Sequence, residues 1–244
     1  MKIVAMIPAR LGSTRLKMKN LAILNGRPLV TYALEAAKCS GVFDRVVLNA
    51  DDRVFGEIAD SSGVEFYLRS KPLGSSQAKS DHVVYDFMTH HPADAVAWIN
   101  PIAPLQTAEE IRAVVDFFKA QVLDSLVTVK NEQVHAVYRD VAVNFRPDME
   151  FAQTQDLTPV QTFVYSVMMW RQASFLEAFK KNGYALLCGR IGYYPVSKMS
   201  SLIIKTEEDL FLAEALIAAT GGKRREPVYY YQPVAGNMSV PDIA

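Results

Sequence analysis

The chain has 244 residues, 50% of them hydrophobic, enough to bury one large core or two small ones. Its 26 basic and 26 acidic side chains balance, which gives no basis for binding nucleic acid or an anionic membrane surface. No apolar run reaches membrane-span length, no signal peptide is visible, and Cys39 and Cys188 lie outside any metal or redox spacing, so a soluble, reduced, cytoplasmic protein is expected.

Residues 3–7 read as a short buried strand, and Pro8, with no N–H to give to a ladder, should end it. The loop that follows, as far as Asn20, carries one glycine and four cations: Arg10, Arg15, Lys17 and Lys19. In an open α/β sheet, ligands sit beyond the carboxyl ends of the strands. Cations and backbone N–H groups gathered at such an end suit a polyphosphate. The alternative is a solvated basic turn. The spacing is neither a Walker A loop nor GxGxxG.

Pro28 opens a helix to about residue 38 that stops near Gly41. A strand over 45–50 ends in Asp51-Asp52, a helix over 53–62 is closed by Gly63, and a third strand covers 64–68. Residues 71–79 form a loop of Gly, Ser and Pro, after which Ser80 is placed to cap a helix over 82–90. A buried strand over 95–100 is cut off by Pro101, and Thr107 with Glu110 makes a capping box for a helix to about Ala120. A strand over 125–129 follows. From 130 to 160 the periodicity weakens, which marks either an excursion from the sheet or a surface loop. A strand over 161–170, a helix over 172–182 ending at Gly183 and a strand over 190–194 come next. Thr206 caps a last helix over 207–220, whose acidic first turn suits the helix dipole. Gly221-Gly222 ends it, and 228–231 adds an edge strand. Strands alternating with helices at these lengths imply α/β architecture: a mostly parallel sheet with helices on both faces, in a single domain spanning 1–244.

The stretch Ile7-Pro-Ala-Arg-Leu-Gly-Ser-Thr-Arg-Leu-Lys-Met-Lys-Asn20 resembles the opening signature of the sugar-activating cytidylyltransferases, the group of the CMP-sialic acid and CMP-KDO synthetases. The resemblance runs from Ile3 to about Ala215. It implies a three-layer, Rossmann-like nucleotidyltransferase fold, with 130–160 as an arm that reaches into the neighbouring subunit of a homodimer. Arg10, Ser13, Lys19 and Asn20 match the positions that wrap the triphosphate of CTP, and Arg10, Arg15 and Lys19 would hold the leaving pyrophosphate. Arg69 matches an arginine that lies against the nucleotide; a surface ion pair is its other reading. Ala78 and Ser80 match positions near the cytosine, and Ser80 can also serve simply as a helix cap.

Asn100-Pro-Ile-Ala-Pro-Leu-Gln106 resembles the family's QPTSPLR turn, which faces the sugar and the reacting phosphate. Asn100 there replaces an amide and Gln106 an arginine. Thr154-Gln155-Asp156-Leu157 resembles a TQDL stretch of the nonulosonic-acid branch, which makes Gln155 a sugar-binding candidate or a mere turn residue. Departures concentrate at Ser201-Leu-Ile-Ile-Lys-Thr-Glu-Glu-Asp-Leu210, where relatives read close to IDIDTEEDL and the two leading aspartates hold Mg²⁺. Ile203 and Lys205 occupy those positions. Ser76 replaces a third acid, and the second carboxylate of the KDO branch falls near Ile102.

Mg²⁺ is thus expected from the family, yet its ligands are not evident, since it needs one or two carboxylates beside the phosphates. Glu207, Glu208 and Asp209 read better as first-turn helix acids, and His82, His90, His91 and His135 form no ligand spacing. In the reaction that the resemblance implies, the anomeric hydroxyl of a 2-keto-3-deoxy sugar acid attacks the α-phosphorus of CTP and pyrophosphate departs. Positioning and neutralisation of phosphate charge dominate such transfers. Lys205 is expected to supply part of the missing charge, with Arg10 and Lys19 completing the catalytic set and weak activity the result. Two other readings stand beside this one: a non-catalytic binder of nucleotide or sugar nucleotide, and a different nucleotidyl- or glycosyltransferase.

Overall fold

A computed structural model describes residues 1–13 and 15–221. Its first half holds β1 (Ile3–Pro8), β2 (Ile23–Leu24), β3 (Arg27–Pro28), α1 (Leu29–Ser40), β4 (Arg45–Ala50), α2 (Val54–Ser62), β5 (Glu65–Leu68), α3 (Lys71–Gly74), α4 (Ser80–His90) and β6 (Ala95–Ile99). The second half holds α5 (Ala108–Ala120), β7 (Ser125–Glu132), β8 (Val137–Tyr138), β9 (Val141–Ala142), β10 (Val160–Arg171), α6 (Gln172–Asn182), β11 (Ile191–Pro195) and α7 (Glu207–Gly221). Among the described residues, no helix is long and apolar enough to cross a membrane.

Seven strands make one sheet in the order β11-β7-β10-β6-β1-β4-β5. β1 pairs parallel with β4 and β6, β4 with β5, and β7 with β11. β10 lies antiparallel between β6 and β7. Its direction follows from connectivity: the chain leaves β7 for the excursion and returns with no crossover helix, so it comes back alongside in reverse.

Side-chain alternation along β1 separates the layers. Ile3, Ala5 and Ile7 pack with Val30 and Leu34 of α1, Phe55 of α2, and Val114 and Phe118 of α5. Val4 and Met6 point the other way, toward Val84 and Phe87 of α4 and Phe175 of α6. Helices therefore cover both faces of a mostly parallel sheet, as expected. Each such buried valine, leucine, isoleucine or phenylalanine contributes about 1.5–3 kcal/mol. A third cluster sits at one edge, where Leu16 of the basic loop is buried with Leu24, Leu29, Ile204 and Ala213. That apolar peg clamps the loop between its flanking cations.

β4 and α6 have the boundaries expected of them, and Gly41 and Gly183 end α1 and α6 at φ 67° and 79°, a left-handed conformation that glycine adopts without cost. Other local expectations change. α4 starts at Ser80 with Lys79 as its N-cap, so Ser80 is already helical and is not the cap. The 71–79 loop contains the short helix α3. Thr107 Oγ1 does accept the Glu110 N–H at 3.2 Å, but the Glu110 carboxylate turns away to the Ser197 N–H at 2.6 Å, leaving half a capping box. The 228–231 strand and the stop at Gly222 lie outside the described residues.

The 130–160 excursion has its own structure. β7 runs on to Glu132, and β8 and β9 form a hairpin whose two central residues, Arg139 and Asp140, have φ 50° and 65°, the geometry a tight two-residue hairpin requires. Asn144 ties the hairpin down, accepting the Ala136 N–H and donating to the Val134 and Thr158 carbonyls.

Candidate active site

A cleft of about 320 Å³ opens at the carboxyl ends of β1 and β6. Three segments wall it. The loop after β1 gives Arg10, Ser13, Lys19 and Asn20; the segment after β5 gives Arg69, Ser75, Ser76, Ala78 and Ser80; the end of β6 gives Trp98, Asn100 and Ile102. Apart from Arg15, every residue that the sequence assigned to the nucleotide borders this space.

The basic loop reaches the cleft because Leu16 is pinned below it and a 3₁₀ turn, Lys19–Leu21, follows Met18 at φ 48°. Lys19 Nζ donates to the Ile204 carbonyl at 3.0 Å, and Asn20 Nδ2 donates to the Arg10 carbonyl at 3.1 Å. Burial pushes the Lys19 pKa down, and the charges of Arg15 and Arg10 push it further, with Lys205 adding to them and Asp209 opposing. Arg15 and Lys205 are both exposed, yet they stand close enough to Lys19 to act on its charge. Two cations, Arg10 and Lys19, thus stand in the cleft wall, and two more lie near enough to act on Lys19. A concentration of positive charge that disfavours the charged form of Lys19 is relieved by an anion.

Arg69 is buried and, among the described residues, makes no ion pair. Its guanidinium donates to the Asn49 carbonyl at 2.7 Å, to Asn49 Oδ1 at 3.2 Å and to the Ala9 carbonyl at 2.8 Å, while Nε has no partner. Burial lowers its pKa from the usual arginine value. It holds the ends of β1 and β4 together while bordering the cleft. Arg10 by contrast makes one weak bond, from a guanidinium N–H to the Ser75 carbonyl at 3.3 Å, and is free to turn toward a ligand.

The three sugar candidates fall in different places. Asn100 borders the cleft and donates through Nδ2 to the Tyr165 carbonyl at 3.1 Å. Gln106 is buried outside the cleft lining, where its Nε2 donates to Glu110 Oε2 at 2.6 Å. Gln155 is exposed in the 3₁₀ turn Thr154–Asp156, bonded to the Gln153 side chain and accepting from Gln133 Nε2 at its carbonyl.

Positions 203–205 do meet the cleft wall: the Ile204 N–H donates to the Ile102 carbonyl at 2.8 Å. No aspartate or glutamate is among the described residues that border the cleft, and no three His, Cys, Asp or Glu side chains among the described residues gather to hold a metal. Asp209 is committed elsewhere. Against burial, which pushes its pKa up, the N–H groups of Lys205 and Thr206 at 2.8 and 2.9 Å hold its carboxyl below the usual range. Asp51 and Asp52 border a separate hollow behind Ser13 and Ser75, and they accept the Leu11 and Val54 N–H groups. Among the described residues, the side chains that border the cleft do not fit a carboxylate-held Mg²⁺.

Trp98 and Ser75 escaped the sequence reading. An indole inside the apolar run Ala95–Ile99 reads as core; the signal available was its position, next to last in a strand that ends at a proline turn.

Against this geometry stands the family comparison. A family model described as "Cytidylyltransferase" matches residues 4–233. The chain belongs to the cytidylyltransferase family. Among curated relatives, it is 27% identical over 252 residues to the N-acylneuraminate cytidylyltransferase of Escherichia coli O18:K1:H7, covering 98% of this chain and 57% of that protein. It is 42% identical over 85 residues to the pseudaminic acid cytidylyltransferase of Campylobacter jejuni, covering 34% of this chain and 37% of that one. This family member spans just over half the length of the sialate relatives it matches. Its fold is also that of a CMP:2-keto-3-deoxy-manno-octonic acid synthetase solved with CTP, with a TM-score of 0.68 and 16% identity over 89% of this chain and 99% of that one.

Proposed function

We propose that this chain transfers the cytidylyl group of CTP to an acidic 2-keto-3-deoxy sugar, of the sialic or nonulosonic acid type, and releases pyrophosphate. The observation that carries the reading is the placing of Arg10 and Lys19 in the wall of a cleft beyond β1, with Arg15 and Lys205 near enough to act on Lys19. The names of the relatives, cytidylyltransferases for sialate and pseudaminate, support the sugar class. The anomeric oxygen of the sugar bonds to the α-phosphorus and loses its proton to solvent. The bond from that phosphorus to the bridging oxygen breaks, and its electron pair leaves with pyrophosphate.

Arg10, Arg15 and Lys19 hold the leaving group, Ser13 and Asn20 complete the phosphate loop, Arg69 backs it, Ala78 and Ser80 face the base, and Asn100 faces the sugar. Gln106 contributes by fixing Glu110 behind the turn. Gln155, carried on the excursion, takes part where a homodimer brings that arm over a neighbouring cleft. In place of a carboxylate-held metal, the ammonium groups of Lys19 and Lys205 neutralise the reacting phosphates. An ammonium cannot chelate two oxygens in fixed geometry, so turnover is slow.

The test is pyrophosphate release from CTP with a panel of sialic, nonulosonic and KDO-type acids, with Mg²⁺ and with chelator. Slow release that survives the chelator is expected. Fast release that strictly requires Mg²⁺ refutes the role of Lys205. A chain that CTP protects against unfolding but that releases nothing is instead a nucleotide or sugar-nucleotide binder, the second reading, which the carboxylate-free wall favours.

A further inference from the structure

Among the described residues, six buried side-chain polar atoms lack a hydrogen-bond partner, and three of them, Asn20 Oδ1, Arg69 Nε and Trp98 Nε1, belong to residues that border the cleft; His91 Nε2, Gln106 Oε1 and His135 Nε2 lie elsewhere. Asn20 and Arg69 make other bonds. An indole has a single N–H to donate, and that of Trp98 goes to nothing. Native structures seldom leave such a donor unpaired. The second tryptophan shows the ordinary outcome: Trp170 is fully buried and its N–H donates to the Leu186 carbonyl at 2.8 Å.

Register explains the placement. Along β6, Ala95, Ala97 and Ile99 join the core beneath α1 and α5, whereas Val96 and Trp98 lie on the α4 side. Trp98 is the last residue on that side before the strand ends, so its ring stands at the carboxyl end of the sheet, in the cleft wall with Ala78 and Val83. The wall is therefore of two chemical kinds. Arg10 and Lys19 suit phosphates, while Trp98, Ala78, Val83 and Ile102 are uncharged and suit a planar heterocycle.

We propose that Trp98 is a specificity residue for the nucleoside: its ring closes the base pocket, and its indole N–H, shielded from solvent in this structure, turns to donate to a pyrimidine acceptor, the O2 carbonyl or ring N3. This rests on the CTP reading above. Trp98 and Trp170 are the two tryptophans of the chain, and Trp170 is buried and satisfied, so a ligand-dependent change in tryptophan emission reports Trp98.

The experiment titrates the full chain with CTP and, separately, with inorganic tripolyphosphate, following emission and binding heat. CTP is expected to alter the emission, and tripolyphosphate to bind without altering it. Trp98→Phe is expected to abolish the emission change and weaken CTP about three- to tenfold, the worth of one hydrogen bond, with tripolyphosphate affinity unchanged. If that variant fails to fold, the emission contrast between the two ligands in the unaltered chain decides by itself. CTP binding with unaltered emission, or a folded Trp98→Phe chain of full CTP affinity, overturns the proposal and leaves the CTP reading intact. No CTP binding by the unaltered chain overturns both.

Discussion

Replacing Arg69 with alanine tests whether this residue is a keystone of the fold as well as a wall of the cleft. It is 5% exposed, and its guanidinium bridges the Ala9 carbonyl at 2.8 Å and the Asn49 carbonyl at 2.7 Å. Hydrogen bonds from a charged donor contribute about 1.5–3 kcal/mol each, so the two short ones amount to about 3–6 kcal/mol. Burying the charge opposes them, and the Asn49 carbonyl keeps the Ala9 N–H at 2.9 Å. A net loss of about 3 kcal/mol remains, toward the low end for breaking a buried charged contact. At about 2–4 °C per kcal/mol for a chain of this size, the midpoint of thermal unfolding falls by about 6–12 °C. Arg10→Ala is the control: with a single 3.3 Å bond to lose, it unfolds as the unaltered chain does while losing its protection by CTP. An Arg69→Ala midpoint within about 2 °C of the unaltered chain refutes the keystone argument.

Two more outcomes follow from the geometry. Burial and the nearby arginines lower the Lys19 pKa below 10.5, and a bound triphosphate favours the charged form and raises it again. CTP affinity is therefore full below the lowered pKa of the free chain and falls as pH rises from there through the raised pKa of the complex, with proton uptake on binding in that window. Calorimetry from neutral to alkaline pH in buffers of differing ionisation heat reads both; Lys19→Arg moves the loss to higher pH, and a flat affinity profile contradicts the assignment. On the excursion, Tyr138 and Val141 pair across a fixed hairpin, 65% and 68% exposed, an apolar face that a second copy would cover. Light scattering should give twice the 27.2 kDa chain mass, falling to one chain mass in Tyr138→Asp; a monomeric unaltered chain disposes of the homodimer.

Local rules carried the sequence reading a long way. Proline and glycine punctuation placed α1, and the apolar run Arg45–Ala50 placed β4, because both signals are contained within a few residues. The strand order was hidden, since nothing near Val160–Arg171 states that it slots between β6 and β7 in reverse. Ser80 misled because a serine before an apolar run signals a cap, whereas Lys79 in extended conformation ends up at that position. Gln106 read as a sugar-facing residue of the turn, whereas it is buried outside the cleft lining with its amide taken by Glu110. The cationic end of the cleft was legible because its residues lie in one loop. Lys205 joined it only through the apolar peg of Leu16 and Ile204, a contact between distant parts of the chain.

The long strand β10 ties two regions that otherwise lie apart. Its beginning pairs Val160 with Glu132 at the root of the excursion, and its end pairs Trp170 with Val96 deep in the sheet. Between them its ladder to β7 slips register from Phe163 to Met168, with Tyr165 at φ 59°. Across this irregular stretch, the Tyr165 and Ser166 carbonyls take the amide and the N–H of Asn100. The root of the excursion and the far rim of the cleft therefore hang on one run of backbone, and the irregular stretch of β10 is where the two meet.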